Sequence, residues 1–253
     1  MQPVSKIIIG IAVLYISCLN VYAQEEDIRK AETAYAAEQY SQAIETYESL
    51  LKNYGASCEI YYNLGNAYYK TGKIAQAILN YERALLIKPG DNDIRFNLEL
   101  TRQQIVDKIE PLQEFFLKKW IRSAQNLIGV DAWAMVGIVG FVLFICCLVL
   151  YFFSKWMYLK KMGFYVGVLL LITVITANIF AYNQKNELEN RRGAIVITPT
   201  VTAKSSPDNS GTDLFLLHEG TKVFIRNSVG DWNEITLEDG NIGWINKKDI
   251  IVI

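Results

Sequence analysis

CEIYYNLGNAYYKTGKIAQAILNYERALLIKP, residues 58–89, decides the fold. Its apolar residues recur at helical spacing on either side of Gly72, which marks a turn between two helices. Gly65 and Ala77 are small enough to let those helices approach, Tyr68 and Tyr81 fill the space around them, and Pro89 ends the second. The pattern repeats at a period of 34: Ala31, Ala43 and Tyr47 stand one period before Gly65, Ala77 and Tyr81. A third copy opens at DNDIRFNLELTR, residues 91–102.

Tyr61, Leu64, Gly65, Tyr68, Gly72, Ala77, Tyr81, Ala84 and Pro89 fall in register with the tetratricopeptide repeat (TPR), which this stretch resembles. The resemblance implies helical repeats over 24–108. The first copy, 24–57, is weaker because Lys30 stands where Leu is expected, and the third supplies one capping helix. It also implies a binding groove rather than a catalyst. Tyr62, Asn66 and Tyr69 share a helix face, and Asn63 and Asn97 occupy equivalent places one period apart. The asparagines read either as hydrogen-bonding groups for an extended peptide or as residues common at that repeat position. Glu25, Glu59 and Asp93 recur at the same period, as an acidic groove edge or as acids favoured by helix N-termini.

On the N-terminal side, residues 1–23 carry Lys6, an apolar run from Ile7 to Leu19, and Val21 and Ala23 ahead of Gln24. This is the layout of a secretory signal peptide cleaved after Ala23, with an uncleaved anchor as the alternative. Either way, the repeats are sent out of the cytoplasm.

On the C-terminal side, residues 109–131 place Leu112, Phe115, Phe116, Trp120, Ala124, Leu127 and Ile128 at helical spacing, with Lys118, Lys119 and Arg122 among them. This predicts an amphipathic helix at a bilayer surface or, alternatively, one packed on the repeats. Two spans follow, 132–153 (uncharged from Trp133) and 163–182, each long enough to cross the hydrocarbon core. Cys146, Cys147 and Asn178 then lie in membrane helices. Lys155, Lys160 and Lys161 sit in the connection, 154–162, which the positive-inside rule assigns to the cytoplasm. Basic residues flank the other ends too, so parity decides: if the repeats are exported, both soluble parts face the periplasmic side of the inner membrane.

After a charged linker (NQKNELENRR) the chain becomes rich in Val, Ile and Thr, with turn signals at SSPDNSG, HEG, VGDW and EDG. AKSSP, LHEGTKVFI, GDWNEI and DGNIGWINKKDI make residues 183–253 resemble a bacterial SH3-like domain, which implies a small all-β barrel that binds peptides or cell-wall peptidoglycan. Trp232 and Trp244, one opening a strand and the other on the next, are its surface candidates, with a core role as the alternative.

The net charge is −1, which gives no sign of a nucleic-acid partner, and one histidine with four scattered cysteines leaves no metal-ligand spacing, catalytic triad or disulfide framework. No cofactor and no enzymatic activity are expected. The tandem domains, with DIRFNLELTR, IEPLQEFFLKKW and INKKD, make the chain similar to the E-type TPR proteins of the aerotolerance (Bat) operon family. That resemblance implies an envelope scaffold linked to stress or oxygen tolerance. Its implied partners are membrane proteins with von Willebrand A domains, another TPR protein and a MoxR-type ATPase.

Overall fold

The structure is a computed structural model that describes residues 24–113, 115–190 and 192–253. The expected signal peptide and its cleavage site lie outside the described residues.

The repeats form antiparallel helix pairs: α1 (24–36) with α2 (Tyr40–Tyr54), and α3 (Cys58–Lys70) with α4 (Ile74–Ile87). A single further helix, α5 (Asn92–Arg102), starts at Asp91, whose carboxylate caps the amides of Asp93 and Ile94. Gly65 works as the sequence suggests. A Cβ there would lie 2.7 Å from Tyr81 Cε1, so the missing side chain is the space that the Tyr81 ring fills. Gly72 takes φ +74 at the turn, a conformation that costs glycine little. Leu64 and Leu98 are buried, whereas Lys30, at the same repeat position in the first described helix, is exposed and pairs with Glu26 and Asp27.

No second helix follows α5. Residues 103–113 form an irregular strap that crosses to the C-terminal sheet, with Pro111, which has no backbone donor, near its end. The amphipathic helix is therefore shorter than the sequence suggests: α6 covers Phe116–Gln125.

Next come α7 (Val130–Phe153) and α8 (Met157–Glu189), two helices long and apolar enough to cross a membrane. They pack closely through glycine. A Cβ on Gly140 would lie 3.0 Å from Val174, and one on Gly163 would lie 2.9 Å from the Cys147 carbonyl. Asn178 lies against Gly137 and donates to the Val174 carbonyl of its own helix at 2.8 Å. Only Ser154, Lys155 and Trp156 separate the two helices, so Lys160 and Lys161 are helical rather than in a loop. The expected linker is helical as well, since α8 runs to Glu189 and reaches roughly 50 Å.

The C-terminal module is one antiparallel sheet of seven strands: β1 (Gly193–Val196), β2 (Thr200–Lys204), β3 (Asp213–His218), β4 (Lys222–Val229), β5 (Trp232–Thr236), β6 (Ile242–Asn246) and β7 (Ile250–Val252). The order is β3-β2-β6-β5-β4-β1-β7, so β3 and β7 are edges and the sheet does not close. Bulges at Ala203/Lys204 and Ile225/Asn227 bend it around Val196, Ala203, Leu217, Val223, Ile235 and Ile245.

The sheet docks on the repeats. Ile195 and Ile253 join the helical core, and the Arg83 guanidinium donates to the Val252 carbonyl at 2.7 Å. The strap holds the same contact: Ile105 fills the space beside Gly220, and the Leu112 amide donates to the Glu238 carbonyl at 3.0 Å.

Candidate functional site

The groove is built from the faces of α3 and α5. Asn66 Oδ1 accepts from the Tyr81 hydroxyl at 2.7 Å and from Asn97 Nδ2 at 3.0 Å, and the same Asn97 amide reaches the Tyr62 hydroxyl at 3.0 Å. Four side chains on three helices thus form one network. Asn66 Nδ2 and Asn97 Oδ1 have no partner among the described residues, which leaves a donor and an acceptor at the surface of a prearranged array. Tyr69 lies farther along the groove, where its hydroxyl accepts from Gln104 at 2.9 Å. Asn63 lies toward Tyr47 of the preceding repeat, and burial pushes the Tyr47 hydroxyl up to about 12.

Of the five groove residues named from sequence, Tyr62, Asn66 and Asn97 come together, Tyr69 flanks them, and Asn63 serves the contact with the preceding repeat. Two further residues escaped the sequence reading. Phe96 and Leu100 on α5 are 68% and 40% exposed. They stand one period after Tyr62 and Asn66, so the repeat was the signal for them. Large apolar side chains left open beside half-satisfied amides suit a partner that brings both apolar side chains and backbone polar groups.

Trp232 and Trp244 lie on the sheet face opposite the core. Glu234 pairs with Trp244 and Asn246 with Trp232, so the two rings are diagonal neighbours on adjacent strands. Both are half-buried, while Ile235 and Ile245, which point the other way, are fully buried. Lys204 stands beside Trp244 and pairs with Asp213 at 2.6 Å.

The junction between repeats and sheet is charged and buried. Glu82 on α4 receives Lys222 at 2.7 Å and also pairs with Arg102. Burial pushes its carboxyl up, but the two cations outweigh that and hold it below its ordinary value. Asp107 on the strap accepts from the Thr221 hydroxyl and the His218 amide at 2.7 Å each, and its other oxygen meets the His218 ring at 2.6 Å. Burial raises this carboxyl, and these bonds bring it below the usual range. His218, the one histidine of the sequence, is thus part of the junction.

A second joint ties α6 to the long helices. Gln184, 4% exposed, donates to the carbonyls of Gln125 at 2.7 Å and Ile128 at 2.9 Å, so it satisfies the open end of α6. Trp133 Nε1 adds a bond to the Gln125 carbonyl at 2.8 Å. Among the described residues, no group of three or more His, Cys, Asp or Glu side chains is placed to hold a metal ion.

Residues 58–91 match the tetratricopeptide repeat family, a protein-interaction fold rather than a catalytic one. Solved structures similar to the chain include the Arabidopsis OM64 TPR domain, with 17% identity over 66% of this chain and 98% of that one at a TM-score of 0.32. The Sgt2 TPR domain from Aspergillus fumigatus has 15% identity over 66% and 80% at a TM-score of 0.31. No curated protein matches the chain.

Proposed function

We propose that the chain is a membrane-anchored scaffold that holds a protein partner in its repeat groove. The observation that carries this is the Tyr62–Asn66–Asn97–Tyr81 network with an unused donor and acceptor beside the exposed Phe96 and Leu100. Anchoring is supported by α7 and α8, which are only 11% buried along their most apolar windows and present a broad apolar surface that calls for lipid. With α7 and α8 as spans, the contact between repeats and sheet supports the reading that both lie on one side of the bilayer. The predicted export signal makes that side periplasmic. The motifs shared with the Bat-operon family favour an envelope complex with von Willebrand A-domain, TPR and MoxR-type components.

The test is site-specific photocrosslinking in intact membranes from positions 66 and 96. Discrete adducts that Asn97→Ala weakens are expected, and a chain that yields no adduct from either position overturns the reading. Loss of the Phe96 ring lowers affinity by about fivefold or more, the effect of truncating an anchoring aromatic.

A second reading rests on the outward pair Trp232 and Trp244. With an SH3-like sheet, this pair is a platform for cell-wall peptidoglycan. Full-length protein in detergent is retained on purified cell wall under this reading, and Trp244→Ala releases it. Absence of retention removes the reading and leaves the groove proposal intact.

A further inference from the structure

We propose that the crevice enclosed by α6, the end of α8, the repeats and the sheet binds the headgroup of an anionic phospholipid. This rests on the reading of α7 and α8 as membrane spans. The crevice holds about 1720 Å³, more than the roughly 300–1,000 Å³ of a small-molecule pocket, and it is open to its surroundings. Among the described residues, five basic side chains line it: Arg95, Lys119, Arg122, Arg192 and Lys222. Among the same described residues three acids, Glu82, Glu187 and Glu238, line it as well, and Glu82 pairs with Lys222, itself one of the five bases, and with Arg102 from outside the crevice.

The two faces of α6 carry the inference. Lys119, Arg122, Ser123 and Asn126 follow i, i+3, i+4, i+7 spacing and all line the crevice. The other face holds Phe116, Leu117, Trp120 and Ile121, which are 73%, 46%, 68% and 43% exposed. A helix of this kind settles with its apolar face in the boundary between acyl chains and headgroups. Gln184 fixes α6 to α8 at the point where the chain enters α7, so depth is set by the spans themselves. At that depth the polar face, and the crevice it lines, lie in the headgroup layer. Leu112 and Leu127, 64% and 70% exposed, also line the crevice, where they meet the start of the lipid's acyl chains. Basic side chains with apolar residues beside them fit a lipid phosphate and its glycerol better than a free anion.

The test uses the full chain, delipidated in non-ionic detergent, and native mass spectrometry with phosphatidylglycerol and phosphatidylcholine of matched acyl chains. Preferential retention of phosphatidylglycerol is expected. The double variant Lys119→Gln/Arg192→Gln loses that preference by about thirtyfold, the worth of two basic residues near an anionic surface. The control Lys160→Gln/Lys161→Gln, at the far end of the hairpin, keeps it. Equal retention of both lipids overturns the proposal, as does a control that falls as far as the crevice variant. Displacement of the lipid by soluble glycerol phosphate also overturns it, in favour of a site for a free phosphate. A chain released from membranes by alkaline carbonate refutes the spans and this site together, whereas a retained chain indifferent to lipid charge refutes the site alone.

Discussion

Lys222 donates to Glu82 at 2.7 Å, joining a strand of the sheet to a helix of the repeats across 140 residues of chain. Glu82 is 7% exposed, and Arg102 from α5 completes its neutralisation. A carboxylate this buried persists only while it is paired. Lys222→Met leaves it with one cation and costs about 1.5–3 kcal/mol, the worth of a hydrogen bond to a charged group. Chemical denaturation of the full chain measures this. A double-mutant cycle with Glu82→Gln is expected to show coupling well above 0.5 kcal/mol.

Acid weakens the same junction. Glu82 and Asp107 both have folded values held below the ordinary carboxylate range. A depressed carboxyl contributes stability above its unfolded value and loses it as pH falls through the folded one. Docking is therefore firm at neutral pH and fails progressively below about pH 4. Hydrogen exchange at β1 and in the 103–113 strap should accelerate over that window before exchange inside α3 and α4 does. Simultaneous exposure of all of them would refute an independently titrating junction.

Gly65→Ala places a methyl group 2.7 Å from the Tyr81 ring, which is itself fully buried. The ring must shift, and the hydroxyl that bonds Asn66 shifts with it. A loss of about 1–3 kcal/mol is expected, as for other overpacked cores. Groove binding should fall as well, and calorimetry with partner titration reads both effects.

Gly90 touches the backbone of Asn126 and Leu127 in the turn between α6 and α7, so a Cβ there meets carbonyl groups that cannot rotate away. Gly90→Ala separates the repeats from that turn without altering either hydrophobic core. Crosslinking between cysteines introduced at positions 88 and 128 is expected to drop several-fold, while the thermal transition of the repeats changes little.

Gln184→Leu keeps the volume of the side chain but removes its amide. The carbonyls of Gln125 and Ile128 lose that donor, at a cost of about 1–3 kcal/mol. The bond from Trp133 to Gln125 remains, so α6 is expected to loosen rather than melt. Faster amide exchange confined to α6 would be the signature.

Local pattern by itself determined the repeats, the two apolar helices and the strand-rich end. Gly65 beside Tyr81, Gly72 at the turn and the uncharged runs of α7 and α8 are each dictated by residues within one or two helical turns or one period. Phe96 and Leu100 went unread although the 34-residue repeat aligns them with Tyr62 and Asn66. What tertiary structure alone decided is how these pieces meet. NQKNELENRR reads as a linker because its residues are polar, yet Gln184 is buried there, satisfying carbonyls 56 and 59 residues away. Asp107 finds His218 and Thr221 at separations of 111 and 114 residues, and Glu82 finds Lys222 at 140. Such pairs have no period and no fixed spacing. A lone charged or amide side chain in a sequence is the same whether water or a distant partner satisfies it, and only the folded chain selects between them.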